Sequence, residues 1–327
     1  MPGSLTRTWR RAKEATLTPR QYAITAYVAL GALTLIVMSG AAVRLTGSGL
    51  GCPTWPKCYG KVYPPLNTHA VIEFSNRMIT VPVSIAAIVA FVLAFKRRPY
   101  RRDLMRLSVL LPLGVLAQAV LGGLTVRGAL DYGWVMAHFA LSMLVVAAAV
   151  ALAWRATYEP GERPVSRDRK LTLWARATVG LGALTIFAGT AATAAGPHAG
   201  GSPGQKINRL DFDGKGTMDF VIHRHGEIAL VFGLAALAVW WLARRHDSDP
   251  QVRLWSTVTC ALIALQGLVG LDQYKTHLPT ELVWVHVSLA SLSWLAVLWT
   301  ACAAGRLQPR EAPAPRRHTA SRARVSA

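Results

Sequence analysis

The sequence predicts an all-α, polytopic membrane protein whose eight transmembrane helices form two tandem, pseudo-symmetric four-helix bundles. Three observations lead to this fold class: long apolar segments, an alternation of basic charge between successive loops, and an internal repeat. Of the 327 residues, 52% are hydrophobic, and the mean hydropathy is +0.32. A water-soluble chain of this length would be more polar.

Eight apolar segments are each close to the ~20 residues that a helix needs to cross the hydrocarbon of a bilayer. They are Tyr22–Val43, Val71–Phe95, Leu104–Val126, Trp134–Trp154, Leu171–Ala195, Phe220–Ala243, Leu254–Leu271 and Leu282–Ala304. The first segment is too long for the apolar core of a signal peptide, and no small-residue cleavage site follows it. We therefore expect eight spans and no cleavable signal.

The formal net charge of +20 follows the topology of these spans. Twenty-four Lys and Arg residues lie before residue 22, in 96–102, 155–170 and 244–253, and after residue 304, whereas the alternate loops hold eight. This is the positive-inside pattern, so we expect a multi-pass protein of the cell membrane with both termini in the cytoplasm. The same distribution explains the basic charge without nucleic acid as a partner.

An internal repeat relates the two halves of the chain. "GALT" at 31–34 recurs at 182–185, "QAVLGGL" at 118–124 resembles "QGLVGLD" at 266–272, and "WVMAHFALS" at 134–142 resembles "LVWVHVSLA" at 282–290. An even number of spans per repeat keeps both halves in one orientation, about a pseudo-twofold axis along the membrane normal. We expect a cytoplasmic tail (1–21), a first bundle (22–156), a linker (157–171), a second bundle (172–304) and a disordered cytoplasmic tail (305–327).

Histidines lie at equivalent positions of the two halves. His138 and His286 are 148 residues apart, and an offset of 149 relates Asn76 to His225. Two imidazoles that face each other in a four-helix bundle are suited to binding a haem iron. We expect His225 and His286 to be axial ligands of one haem, with His223 as an alternative to His225.

The first half has an incomplete pair, since Asn76 is a poor iron ligand and leaves His138 alone. A haem there would be five-coordinate, or weakly ligated by His69, and an open position favours reaction with oxygen. Glu73 shares a helix face with Asn76 and is our candidate for proton transfer. Its alternative role is an ion pair with Arg77, and Arg77 is itself a candidate partner for a haem propionate.

Cys52 and Cys58 lie in the first outer loop, on the oxidising side of the membrane, where disulfides persist. We expect a disulfide between them, whose role, structural or redox, the sequence leaves open. Cys260 and Cys302 lie within spans and are expected to be small packing residues.

These motifs resemble a known family. "RLTGSGLGCPTWPKC", the following "PP" and "IEFSNR", and the histidines of spans four, six and eight are similar to haem A synthase, across all eight spans. The resemblance implies oxidation of the C8 methyl group of haem O to a formyl group by successive oxygen-dependent hydroxylations. It also implies that Glu73 is the catalytic residue and His138 a substrate-haem residue, and that His225 and His286 ligate haem b.

The chain departs from the family pattern in two places. Many members have histidine where this chain has Asn76, and some carry a second cysteine pair in the loop that here reads "GPHAGGSPGQKINRLDFDGKGTMD". The resemblance also implies the haem O-making farnesyltransferase and the terminal oxidase as partners, beside an unidentified electron donor. A di-haem electron carrier is the main alternative, and a transporter is disfavoured because charged groups cluster at the span ends.

Overall fold

The computed structural model describes residues 16–166, 168–212, 216–246 and 248–307. Its helices are α1 (Pro19–Leu45), α2 (Thr68–Lys96), α3 (Arg102–Ser108), α4 (Leu110–Arg127), α5 (Tyr132–Thr157), α6 (Arg169–Ala195), α7 (Thr217–Arg245), α8 (Pro250–Lys275) and α9 (Thr280–Ala303). Helices α3 and α4 together form the third span, so eight helical spans are long and apolar enough to cross a membrane. The all-α class and the eight spans are therefore confirmed.

Polar caps fix where several of these helices begin. The side chain of Asn67 accepts a hydrogen bond from the Ala70 amide at 2.9 Å at the start of α2, and that of Asp131 accepts one from Gly133 at 3.0 Å at the start of α5. Thr18 and Gln21 form a reciprocal capping box at the start of α1. Such caps satisfy amides that have no partner within the helix, so each apolar segment starts its helix directly after a polar loop.

The third span is divided near the end that the charge pattern predicts to be cytoplasmic. Helix α3 ends at Ser108 and α4 begins at Leu110, two residues before Pro112. A proline removes an amide donor and its ring clashes with the carbonyl four residues earlier, which here is that of Ser108. Pro112 therefore weakens the hydrogen bonding of this turn, but α2 runs unbroken through Pro82, so a proline alone does not end a helix in this molecule.

The four spans of each half contact one another in cyclic order. Helix α1 contacts α2, the α3–α4 span contacts α2 and α5, and α5 contacts α1. In the second half, α6 contacts α7, α7 contacts α8, and α9 contacts both α8 and α6. Helix α9 also contacts α1 and α5, and the Trp294 Nε1 donates to the Met143 carbonyl at 3.0 Å across this seam. The symmetry relation between the halves, and the domain boundaries, stay predictions.

One end of the molecule, which we call the disulfide end, is formed by four loops. They are residues 46–67, 128–131, 196–212 and 276–279, of which the first contains Cys52 and Cys58. The first and third loops meet where the Gly49 amide donates to the Gly200 carbonyl at 2.8 Å. The second and third meet where Asn208 donates to Asp131 at 2.6 Å. Loops of the two halves thus form one continuous layer.

A short parallel pairing closes the opposite end. Strand β1 (Val165–Ser166) pairs with β2 (Arg306–Leu307) directly after α9. The sequence predicted a linker at β1 and a disordered tail from residue 305, so the backbone pairing of β2 differs from that prediction. Residues 1–15 of the predicted N-terminal tail and 308–327 of the predicted C-terminal tail lie outside the described residues.

Candidate functional site

A pair of imidazoles lies near the disulfide end of the second half. The ring centroids of His225 on α7 and His286 on α9 are 6.2 Å apart, with 78° between the ring planes. Two imidazoles that share one metal, each bonded at about 2 Å with its nitrogen about 1.1 Å from the centroid, have centroids roughly 6.3 Å apart. The spacing of this pair therefore fits a metal held between two histidines.

Neighbouring backbone and glycine positions orient the two rings. His225 donates from Nδ1 to the Thr185 carbonyl on α6 at 3.1 Å. A Cβ at Gly189 would lie 3.1 Å from Cε1 of His225, and one at Gly270 would lie 3.0 Å from Cε1 of His286. The glycines therefore provide space that alanine would occupy, and both rings are held against small residues.

The alternative ligand His223 is directed elsewhere. Its side chain is exposed, its Nδ1 bonds the Asp219 carbonyl of the preceding turn at 2.7 Å, and its ring lies edge-on to Tyr274 at 6.1 Å. The geometry thus brings His225, and not His223, to His286.

The equivalent positions of the first half are arranged differently. The side-chain oxygen of Asn76 accepts a hydrogen bond from the Ser39 hydroxyl of α1 at 2.7 Å, so this amide is engaged with a neighbouring helix. His138 lies against Gly122, where a Cβ would be 3.3 Å from its Cε1, and its buried Nδ1 has no partner among the described residues. His69 is bonded at Nδ1 to Ser48 of the first loop at 3.0 Å.

Glu73 is the one buried carboxylate among the described residues, with 5% of its surface exposed. Its Oε2 accepts a hydrogen bond from the Cys52 amide at 2.6 Å, and its Oε1 pairs with Arg77 one turn along α2. The ion pair that the sequence left as an alternative role is therefore present. An ionised carboxylate remains an acceptor when it is paired with an arginine, so the ion pair and a proton role are compatible.

The disulfide loop is held tightly against this carboxylate. Cys52 and Cys58 form the predicted disulfide, and Arg77 donates to the Cys52 carbonyl at 2.9 Å and to the Thr54 carbonyl at 2.9 Å. A Cβ at Gly51 would lie 2.1 Å from the His69 carbonyl oxygen, so only glycine permits this approach of loop to helix. The donors of Arg77 that were proposed for a propionate are engaged by the loop.

An aromatic residue of the same loop packs beside the His138 site. A Cβ at Gly123 would lie 2.9 Å from the ring of Trp55, and the preceding Gly122 lies against His138. At an offset of 148 the second half has Leu271 in place of Gly123. Trp55 was not predicted. The glycine at 123, where the repeat has leucine, indicates that a bulky side chain packs against this position.

The donor set agrees with haem rather than with a free metal ion. In the described part of the chain, no group of three or more His, Cys, Asp or Glu side chains could hold an ion. A haem iron needs only two protein ligands, since the macrocycle supplies the others. His225 and His286 provide such a pair, and the second half therefore fits a bis-histidine haem.

These features define a polytopic membrane protein with a pair of histidines in its second half and a disulfide-bonded loop packed on its first half. The model of the COX15-CtaA family, described as cytochrome oxidase assembly protein, matches residues 23–206. This match covers more than half of the chain, and the chain belongs to this family.

Several relatives carry the name heme A synthase. The protein of Listeria welshimeri is 27% identical over 288 residues, which is 84% of this chain and 92% of the relative. The protein of Bacillus pumilus is 35% identical over 132 residues, or 40% of this chain and 42% of the relative, and that of Lysinibacillus sphaericus is 34% identical over 120 residues, or 36% and 39%. The aligned part thus spans less than half the length of the latter two relatives.

Proposed function

We propose that this chain is a haem A synthase, which oxidises the C8 methyl group of haem O to a formyl group by successive hydroxylations. Each hydroxylation consumes dioxygen, an electron pair and protons, and the doubly hydroxylated carbon loses water to give the aldehyde. The family and the similarity to heme A synthases of Listeria along most of the chain support this activity.

The two halves differ in their histidines, and this difference supports separate roles for them. In the second half His225 and His286 are 6.2 Å apart, which suits haem b held by two imidazoles as an electron-transfer cofactor. In the first half His138 has no matching imidazole at Asn76, whose amide is bonded to Ser39. The first half therefore receives haem O, and the second half supplies electrons.

Glu73 is the group of the first half that we assign to proton transfer. It is buried at the junction of α2 and the disulfide loop, with both oxygens hydrogen-bonded. Protonation would release its pair with Arg77, so the carboxylate can take up a proton from the substrate side and return it. Asn76 and Arg77 follow on the same helix and are the remaining candidates for the substrate-haem site with His138. Because Asn76 is bonded to Ser39 and Arg77 to the disulfide loop, binding of a haem propionate by Arg77 would require these bonds to rearrange.

An apolar groove on the outer surface of α4 and α5 is our candidate for the farnesyl chain that distinguishes haem O from haem b. The groove has a volume of about 480 Å³ and is lined by Leu113, Leu116, Ala117, Val120, Leu121, Leu124 and Leu141. Leu141 lies one turn along α5 from His138, and Leu121 precedes Gly122, which contacts it. The residue equivalent to Leu124 in the second half is Asp272, whose charge disfavours an apolar chain at that position.

The basic loops support an orientation with both termini in the cytoplasm of a cell membrane, which places the disulfide end outside. Partners then follow from the chemistry. A haem O synthase must supply the substrate, a terminal oxidase would receive the haem A, and a membrane electron donor must reduce haem b. Direct contact with any of these proteins is a proposal without an interface in the structure.

The test is conversion of haem O in a membrane host that makes haem O but has no haem A synthase. Extracted haems are separated for the wild type and for Glu73→Gln, which keeps the size and removes the charge. The matched control is Glu227→Gln, since Glu227 also pairs with an arginine but is exposed. We expect haem A or its alcohol precursor in the wild type and the control, and unmodified haem O in Glu73→Gln. Haem b alone, with no conversion in any variant, would favour the electron carrier instead.

A further inference from the structure

The same glutamine–histidine contact occurs once in each half. Gln118 on α4 donates from Nε2 to the backbone carbonyl of His138 at 3.1 Å, and Gln266 on α8 donates to the carbonyl of His286 at 3.0 Å. Each glutamine lies four residues before the glycine that contacts the imidazole of that histidine. The two copies are related by the repeat offset of 148, so the contact belongs to the repeated unit.

Both copies also contain a buried acceptor and a buried ring nitrogen without partners. Oε1 of Gln118 and of Gln266, and Nδ1 of His138 and of His286, have no hydrogen-bond partner among the described residues. A buried polar atom without a partner is destabilising, because it has lost its hydrogen bonds to water. An orphaned acceptor and an orphaned ring nitrogen therefore occur together twice, in residues that already touch.

Ligand chemistry supplies a reason for the pairing. A neutral imidazole that binds iron through Nε2 carries its proton on Nδ1, and this N–H usually has an acceptor that sets the ring orientation and the basicity of the ligand. For His225 the Thr185 carbonyl is 3.1 Å from Nδ1. Nδ1 of His286 has no such acceptor among the described residues. Gln266, which donates to the His286 carbonyl, has an unused acceptor at Oε1.

We propose that Gln266 is a positioning residue for His286, whose Nδ1–H it accepts at Oε1 through one buried water. Gln118 has the same role for His138. The amide thus holds the histidine twice, with Nε2 on the backbone and Oε1 on the ring. This inference rests on the proposed haem function of the two halves.

The second half offers the cleaner test. In the first half, Ser142 also donates to the His138 carbonyl at 3.0 Å and accepts from Gln118 at 2.8 Å. The equivalent residue of the second half is Ala290, so Gln266 has no neighbour of this kind that would compensate for its loss.

The readout is the reduction potential of the low-spin haem, together with its electron paramagnetic resonance spectrum. An acceptor on Nδ1–H makes the imidazole a stronger donor and favours the ferric state. We expect Gln266→Leu to shift the ferric–ferrous equilibrium roughly tenfold towards the ferrous form, which is about 59 mV upward for one electron. Gln266→Glu, a stronger acceptor of similar size, should shift the potential downward. Gln251→Leu at the far end of the same helix is the matched control and should leave it unchanged.

The outcomes separate this inference from the proposed function. If the wild type holds no low-spin haem, the proposed haem site fails. If the haem is present and neither Gln266→Leu nor Gln266→Glu changes its potential or g values, the glutamine only connects two helices and the inference is overturned. If Gln266→Leu loses haem or does not fold, Gln266→Glu decides, because an unchanged potential in that variant also overturns it.

Discussion

Replacement of Gly270 by alanine tests whether the space beside His286 is needed for ligation. The new Cβ would lie 3.0 Å from Cε1 of His286. Because carbon atoms pack best at about 3.5–4.0 Å, the imidazole must withdraw by roughly 0.5–1.0 Å unless the helices separate. A metal–nitrogen bond of about 2 Å cannot absorb such a displacement.

The expected loss follows from the displacement. Disturbing the groups that orient a metal ligand typically costs about 10–100-fold in affinity, and tenfold corresponds to about 1.4 kcal/mol. We therefore expect Gly270→Ala to retain at most about a tenth of the wild-type haem affinity. The assay is the haem-to-protein ratio and the low-spin absorbance of protein purified from haem-replete membranes, followed during dilution.

Two glycines provide matched controls. Gly267 lies one turn away on the same helix and Gly226 follows His225, and a Cβ at either position would meet nothing within 4 Å. Alanine in a helix interior is favoured over glycine by roughly 0.5–1 kcal/mol, so these variants should keep the haem and unfold at a slightly higher temperature. Wild-type haem affinity and spectrum in Gly270→Ala would refute the reasoning, because the imidazole would then not need this space.

Three further changes address the groove, the disulfide and one helix cap. Ala117→Trp should fill the groove and lower conversion of haem O roughly tenfold, about 1.4 kcal/mol in barrier, without changing the haem b content. The lipid-facing Ala264→Trp should leave both the conversion and the haem b content unchanged. Cys52→Ser should lower stability by about 2 kcal/mol, as expected from the entropy of the short loop that the bond closes, measured by thermal unfolding in detergent. Burial raises the pKa of Asp168, but its hydrogen bonds with His246 and with the backbone amides of Leu171 and Lys170, together with the charge of His246, outweigh burial, and the net pKa lies below the usual range. Asp168→Ala should therefore cost about 1 kcal/mol at neutral pH, and the difference should shrink as pH falls through the lowered pKa of the folded state.

For each of these three changes, one result would contradict the expectation. Equal loss of conversion in Ala117→Trp and Ala264→Trp would mean that the groove holds membrane lipid rather than the substrate chain. An unfolding temperature for Cys52→Ser equal to that of the wild type would show that the disulfide does not stabilise the protein. A cost for Asp168→Ala that is the same at neutral and acidic pH would show that the carboxylate charge makes no contribution.

The spans and their number could be predicted because bilayer thickness sets helix length and leaves the apolar pattern little freedom. The break before Pro112 was not predicted, since the apolar segment continues across it and Pro82 shows that a proline within a span need not divide the helix. The parallel pairing at Arg306 could not be predicted either, because a strand of two residues has no periodicity in the sequence.

The site was predicted in part. The internal repeat related His138 to His286 and Asn76 to His225. The 6.2 Å between the rings of His225 and His286 then depends on how α7 and α9 face each other diagonally across the second bundle. The contacts of Glu73 with Cys52 and of Asn76 with Ser39 join segments about 20 or more residues apart. The first depends on how the disulfide loop folds back onto α2 and the second on how α1 packs against α2, and residue patterns specify neither.

The most direct test of the central claim uses the purified protein, loaded with haem b and haem O in detergent and supplied with a reductant and dioxygen. We expect haem O to decline while its alcohol and then haem A appear in equal amount, and haem b to remain unchanged in the extract. Reduction and reoxidation of haem b with no loss of haem O would contradict the account, and would identify the chain as an electron carrier.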